Sequence, residues 1–285
     1  MLSHNRACYN KENPFTNGVK IMEHALFGTK HLILIAISAL LIVVGAIFAK
    51  KLPFKQLCKL MFIVGIVSEI IKIFYYIQAN EDTHHGVLPK SDLPFHLCSI
   101  QIIFIAILTL TSNEKLHRFL LSFMRPSCLF GGIAAILIAT HSSRNGSWLI
   151  TSQYFLYHVA LVIFALWLYT SKEIRFELKD YFNCLKFLLV LLFFSIYING
   201  MLSDGTTTTN FMYVVAPPQD GLPFLNDDKG WLSYILRYAS LILFCITISY
   251  IAPIIRAIKA KRSVCAASAL AVTDAEQTSV EQSEK

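Results

Sequence analysis

The chain alternates long apolar runs with short polar connections. A run of about 20 apolar residues is needed to cross a hydrocarbon core roughly 30 Å thick. Stretches that meet this need fall at 31–49, 60–78, 93–112, 118–141, 150–170, 185–203 and 231–252. The pattern predicts an all-α fold, a polytopic membrane helix bundle of about seven transmembrane helices. Arg125 and Pro126 interrupt the start of the fourth run, and Arg237 lies inside the seventh. A polar N-terminal segment (1–29) precedes the seven-helix domain (30–258). The tail (259–285) turns small and polar and is read as a disordered cytoplasmic extension.

Composition narrows this picture. Hydrophobic residues make up 55% of the 285 and charged ones only 15%, with a mean hydropathy of +0.55. Such a balance excludes an ordinary soluble domain. The connections are too short for a separate catalytic domain, so any site must lie within the bundle or at its mouth. Fifteen Lys and Arg residues lie in the first, third and fifth connections and just after the last run, among them Lys50, Lys55, Arg118, Lys179 and Arg256. The second, fourth and sixth connections hold only Lys90, Arg144 and Lys229, together with several acids. The positive-inside rule then places the C-terminus in the cytoplasm and the N-terminus outside, in the cell membrane.

The net charge of +7 is mostly this cytoplasmic collar. It suits the anionic head groups of membrane lipids, the expected partners, and is not read as nucleic-acid binding. Seven cysteines show no CxxC spacing, which argues against a disulfide framework or a structural zinc. His31, His84, His85, His96, His141 and His158 all fall toward the outer side, but no HxxxH or HExxH spacing occurs. No metal site and no cofactor are therefore expected.

Polar groups inside the apolar runs carry the chemistry. Glu69 and Lys72 stand three residues apart on one face of the second run. They form either a packing ion pair or part of a site. The stretch Leu93-Pro94-Phe95-His96-Leu97-Cys98-Ser99-Ile100-Gln101 opens the third run. Ser91 or Asp92 is expected to cap that helix, with Pro94 in its first turn. At a helical rise of 1.5 Å per residue, Cys98 lies about 6 Å along from Pro94, His158 about 12 Å from Ile150, and Arg237 about 9 Å from Trp231. Asn199 lies near the outer end of the sixth run. A shared polar pocket near the outer leaflet would give these groups partners that hydrocarbon cannot.

A thiol and an imidazole at matching depth supply the elements of nucleophilic catalysis. Cys98 lies in the first turns of its helix, where the dipole favours a thiolate. The competing reading is a small apolar filler. His96, two residues away, points to the opposite face, which leaves His158 as the base candidate. Gln101 or Asn199 is a candidate oxyanion donor, and Arg237 or Lys72 a candidate phosphate holder. Gly131 and Gly132 in the fourth run suit close helix approach. The longest connection, from Ser203 to Gly230, mixes Gly and Pro with an apolar NFMYVVAPP core and reads either as a lid over the bundle mouth or as an ordinary exposed loop.

Several motifs together carry a resemblance: SEIIK in the second run, LPFHLCS opening the third, SQYFLYH in the fifth, and Asn199-Gly200 followed by TTNFMYVVAPP and GLPFL. In order and spacing over about residues 25–252 they resemble the YwaF-like integral membrane proteins. Those are bacterial relatives of a eukaryotic multi-pass acyltransferase for ether phospholipids. The resemblance implies a compact bundle in which a cysteine and a histidine serve acyl transfer, positions matched here by Cys98 and His158. The function expected is a Cys/His phospholipid acyltransferase working through an acyl-thioester. The alternative is a non-enzymatic transporter or lipid-binding scaffold, with Glu69, Lys72 and Arg237 as a translocation or packing network.

Overall fold

The computed structural model describes residues 26–79, 88–140, 143–144, 146–205, 207–219, 222 and 224–263. Most of the N-terminal segment 1–29, the His84-His85 pair, His141 and the tail from 264 onward lie outside the described residues. Among those described, the chain is all-α. The helices are α1 (Thr29–Ala49), α2 (Phe54–Ala79), α3 (Leu97–Leu110), α4 (Glu114–Pro126), α5 (Gly132–Leu137), α6 (Trp148–Thr170), α7 (Leu178–Leu202), α8 (Trp231–Ser249) and α9 (251–263). A π turn, Ser127–Gly131, joins α4 to α5.

Among the described residues, five helical stretches are long and apolar enough to cross a membrane: α1, the run from α4 through α5, α6, α7 and α8. The two other runs also become helices. α2 is 26 residues long but carries Lys55, Lys59, Glu69 and Lys72. α3 has only 14 residues, which rise about 21 Å. The protein is thus a membrane protein with several apolar helices, and its lipid-facing surface is visible. Leu40, Phe48, Val190, Phe193, Leu232 and Phe244 are exposed apolar side chains on three of the spans, as expected where lipid rather than water is the solvent.

α6 is the central helix. It packs against α1, α2, α4, α5 and the π turn, and Leu161, Val162, Phe164, Ala165 and Leu168 are almost fully enclosed. Pro126 ends α4 as a regular α-helix. It cannot donate to the carbonyl four residues back, and the ladder shifts to i→i+5 bonding in the next turn. Pro253 acts similarly beyond α8: Tyr250 leaves helical geometry at φ −104°, ψ 10°, and α9 restarts at 251.

Local capping sets several ends. The Asn113 side chain accepts from Leu116 N–H at 3.1 Å, and Glu177 with Asp180 forms a capping box on α7. The end holding these caps also holds Arg118 paired with Asp180 at 2.8 Å and Arg256 donating to the Phe176 carbonyl at 2.8 Å. Arg125 sits among the rings of Tyr169, Phe176 and Tyr250, 4.1 to 5.1 Å from their centroids. The opposite end gathers the start of α3, the start of α6, the end of α7 and the long 203–230 connection.

Candidate active site at the start of α3

Leu93 precedes a proline and is held extended at φ −59°, ψ 150°. Phe95 N–H then turns back to the Leu93 carbonyl at 2.8 Å, and the helix begins only at Leu97. His96 occupies the N-cap position without a side-chain capping bond. This corrects the expectation that Ser91 or Asp92 caps the helix with Pro94 in its first turn. The steric restriction before Pro94 keeps that dipeptide out of helical geometry. The shift puts Cys98 at the second helical residue. Ile100 N–H is the first to pair within the helix, with the His96 carbonyl at 3.0 Å. The N–H groups of Leu97, Cys98 and Ser99 precede the ladder, and the positive end of the helix dipole lies at the thiol.

α6 brings the imidazole to it. His158 Nε2 lies 3.0 Å from Cys98 Sγ, and His158 Nδ1 lies 2.7 Å from the Tyr154 carbonyl oxygen. A carbonyl can only accept, so Nδ1 carries the proton and Nε2 of the neutral ring is the acceptor facing the thiol. Tyr157, one residue before the histidine, donates its hydroxyl to the Cys98 carbonyl at 2.8 Å. It thereby fixes the first turn of α3 against α6. The Tyr154 ring lies against the imidazole at a centroid distance of 4.3 Å.

Gly132 permits this approach. A Cβ there would meet Val162 Cγ2 at 2.7 Å and the His158 carbonyl oxygen at 3.2 Å, so α5 comes closer to α6 than any larger residue allows. Gly131 is likewise packed, with Leu97 Cδ2 at 3.3 Å from its ideal Cβ position.

The other polar residues divide into two sets. Near the start of α3, Lys72 pairs with Glu69 at 2.7 Å and donates to Ser99 Oγ, the neighbour of Cys98, at 3.4 Å. His96 packs its ring on Phe211 and Tyr213, with centroids 5.1 and 5.7 Å apart. Gln101 instead donates to Ser127 Oγ at 2.9 Å, tying α3 to the π turn.

Asn199 and Arg237 are spent on the long connection. Asn199 Nδ2 donates to the Phe211 carbonyl at 3.0 Å, and its Oδ1 accepts from Phe211 N–H at 2.7 Å. Arg237 donates to Phe224 O at 2.9 Å, to Asn226 Oδ1 at 3.0 Å and to Asn226 O at 2.6 Å. Both side chains, expected as an oxyanion donor and a phosphate holder, direct these bonds to the connection rather than toward Cys98. Both backbone segments belong to the adjoining connection, 11 to 13 residues away, which folds back onto the helix ends in a way that depth along a helix cannot reveal.

The 203–230 connection folds onto the bundle mouth. Thr209 and Phe211 are fully enclosed and Val214 is buried. Met212 and Tyr213 take positive φ, 56° and 54°, a left-handed geometry uncommon for side chains of this size. Tyr238 donates to the Met212 carbonyl at 3.0 Å, Tyr234 donates to the Tyr213 carbonyl, and Trp231 Nε1 donates to the Val214 carbonyl at 2.9 Å. The orienting roles of Tyr154 and Tyr157 were not foreseen. A readable signal existed, since Tyr154 stands one helical turn before His158 and Tyr157 directly precedes it.

No curated protein and no solved structure matches the chain. A family model does: residues 26–250, which include every helix from α1 through α8 and both members of the Cys98–His158 pair, match the one described as the TMEM164 family. By that match the chain belongs to the TMEM164 family of transmembrane proteins.

Proposed function

We propose that the protein is a membrane acyltransferase in which Cys98 is the nucleophile and His158 the general base. The observation that carries this reading is the 3.0 Å approach of His158 Nε2 to Cys98 Sγ, with Nδ1 held by the Tyr154 carbonyl. A nucleophile, a base and an orienting acceptor in line form the arrangement on which activated thiols depend. The resemblance to the YwaF-like proteins, and through them to a phospholipid acyltransferase, points the same way.

In the first half-reaction His158 takes the thiol proton while Cys98 sulfur attacks the ester carbonyl of a donor phospholipid. The oxyanion develops at the start of α3, where N–H groups outside the helical ladder and the helix dipole stabilise it. Collapse breaks the ester C–O bond. The imidazolium returns its proton to the leaving lysolipid, and the acyl group stays as a thioester on Cys98. In the second half the hydroxyl of an acceptor lysolipid gives its proton to His158 and attacks the thioester. The C–S bond breaks and the thiolate recovers the proton, so no further reactant is consumed. The folded 203–230 connection shields the thioester from water.

A transport or scaffold role built on Glu69, Lys72 and Arg237 finds less support. The bonds of Lys72 go to Glu69 and Ser99, and those of Arg237 to the 224–226 segment and Ser233. The described contacts therefore link them into two separate sets. With the basic residues of Lys50, Arg118, Lys179 and Arg256 at the far end, the positive-inside rule orients the Cys98 end toward the outer leaflet.

The test is intact-mass spectrometry of purified protein incubated with phosphatidylcholine and phosphatidylethanolamine. A hydroxylamine-labile acyl adduct on the wild type, missing from Cys98→Ser, is the expected result. A broad lipid panel with no adduct on folded wild type would overturn the assignment.

A further inference from the structure

Arg144 lies between α5 and α6, in a helical turn whose backbone N–H pairs with the Thr140 carbonyl at 3.0 Å. Its position in a polar connection makes it look like an ordinary surface cation. The structure buries it instead, at 4% exposure. Its Nε and Nη1 atoms are enclosed and find no hydrogen-bond partner among the described residues. A guanidinium has five donors and cannot shed its charge, so burying it with donors idle is costly.

The surroundings do not resolve this. His31 lies within electrostatic range, but both its nitrogens are used: Nδ1 accepts from Phe27 N–H at 3.1 Å and Nε2 faces the Ile136 carbonyl at 3.0 Å. Tyr154 also lies within electrostatic range, and its neutral hydroxyl donates to the Ala135 carbonyl at 3.0 Å. Thr151 donates to the Gly146 carbonyl at 3.4 Å. No carboxylate among the described residues pairs with Arg144. A buried guanidinium whose Nε and Nη1 donors are unpaired calls for an oxyanion as its ligand, a phosphate among them.

The place of Arg144 selects the source of that anion. Tyr154, its neighbour, is the residue whose carbonyl holds His158 Nδ1 at 2.7 Å. Arg144 thus lies just before α6 begins, at the end of the bundle that also holds the Cys98–His158 pair. A molecule with an anionic group at Arg144 and an ester reaching toward Cys98 has the construction of a glycerophospholipid.

We propose that Arg144 is the phosphate-binding residue of a phospholipid site, holding the headgroup phosphate so that the acyl ester extends toward Cys98. This rests on the acyl-transfer reading for the role of the ester but not for the binding itself.

The test uses delipidated full-length protein in detergent, titrated by native mass spectrometry with phosphatidylethanolamine and with diacylglycerol of the same acyl chains. Wild type is expected to hold the phospholipid about ten-fold more tightly, in keeping with a charge-assisted Arg–phosphate contact. Arg144→Gln should lose nearly all of that preference. Arg144→Lys, which keeps the charge but not the planar fork, should lose about half of it on a logarithmic scale, and it serves should the glutamine variant fail to fold. Equal retention of the two lipids by wild type, or an undiminished preference in either variant, overturns the proposal. Inorganic phosphate added in millimolar excess should leave the lipid bound. Displacement with the same Arg144 dependence would reassign the site to free phosphate and overturn the lipid assignment. Cys98→Ser separates the two readings, since it should abolish the adduct and keep the phospholipid preference. Arg144-dependent binding without any adduct on wild type would leave this site standing and remove the acyl-transfer reading. An adduct formed equally by wild type and Arg144→Gln would do the reverse.

Discussion

His158 reaches Cys98 from a different helix, with Nε2 3.0 Å from Sγ, while its other nitrogen is tied to Tyr154 within its own helix at 2.7 Å. The tie decides which nitrogen is basic, so the two residues should work as one unit. Cys98→Ser and His158→Gln are each expected to slow acyl-adduct formation by at least about 10²-fold, the usual scale for losing a nucleophile or its base. The double variant should lose no more than the worse single one. Additive losses measured in single-turnover assays would show that the two residues act independently.

Gly132 sets the distance between α5 and α6. Gly132→Val should push against Val162 and the His158 carbonyl, costing about 1–3 kcal/mol as overpacking does. Adduct formation should fall along with the thermal midpoint. Gly200 is the control, because a Cβ there meets nothing within 4 Å. Gly200→Ala should raise stability by about 0.4–1 kcal/mol in an exposed helical position.

Asn199 clamps the 203–230 connection through both hydrogen bonds to Phe211. Asn199→Leu keeps the branched outline and leaves a buried N–H and a buried C=O unpaired, at about 1–3 kcal/mol for each group. Limited proteolysis should then cut between 203 and 230 at protease levels that spare the wild type. The same variant should hydrolyse its acyl adduct faster, since the cover over it loosens.

Asp180 is fully buried beneath the half-exposed Arg118, which contacts both its oxygens at 2.8 Å, and it also accepts from Glu177 N–H at 2.8 Å. Asp180→Ala strands the arginine and opens the α7 capping box. A loss of about 3 kcal/mol is expected, the lower end for breaking a buried pair because Arg118 retains contact with water. The thermal midpoint should drop while the lipid preference of the intact fraction stays unchanged.

Asp92, just before α3, has its carboxyl pushed above the ordinary carboxylate range by burial, with Ser91 and Lys72 opposing and Glu69 adding to the shift. A raised value in the fold means that the folded state binds the proton more readily than the unfolded chain. Its stabilising contribution is therefore present below the ordinary carboxylate pKa and is lost as pH rises through the raised one. Asp92→Asn should match wild type in acid and become the more thermostable at neutral pH. Parallel melting curves across that range would discount the effect.

Much of this arrangement was legible along the chain. Apolar length is a local property that the bilayer reads directly, so every expected run became helix. Depth along a helix follows from a fixed rise per residue, and it placed Cys98 and His158 in one layer. It also separated His158 from His96, which turns instead toward Phe211 and Tyr213.

The rest depended on which distant backbone comes alongside. Pro94 looked like a first-turn residue, but the chain needed an extended Leu93 and a turn at Phe95 before α3 could start. Asn199 and Arg237 looked like pocket groups, yet each lies where folded-back loop carbonyls lack donors, and those carbonyls claim them. Arg144 stands in a polar connection, yet the fold encloses it at 4% exposure. The sequence by itself determined the apolar helices and which thiol and imidazole lie at matching depth, because hydropathy and helical rise act residue by residue. Only the tertiary structure decided how each buried donor is used, because a polar group's partner in a low-dielectric interior is whatever acceptor the packing brings within 3 Å.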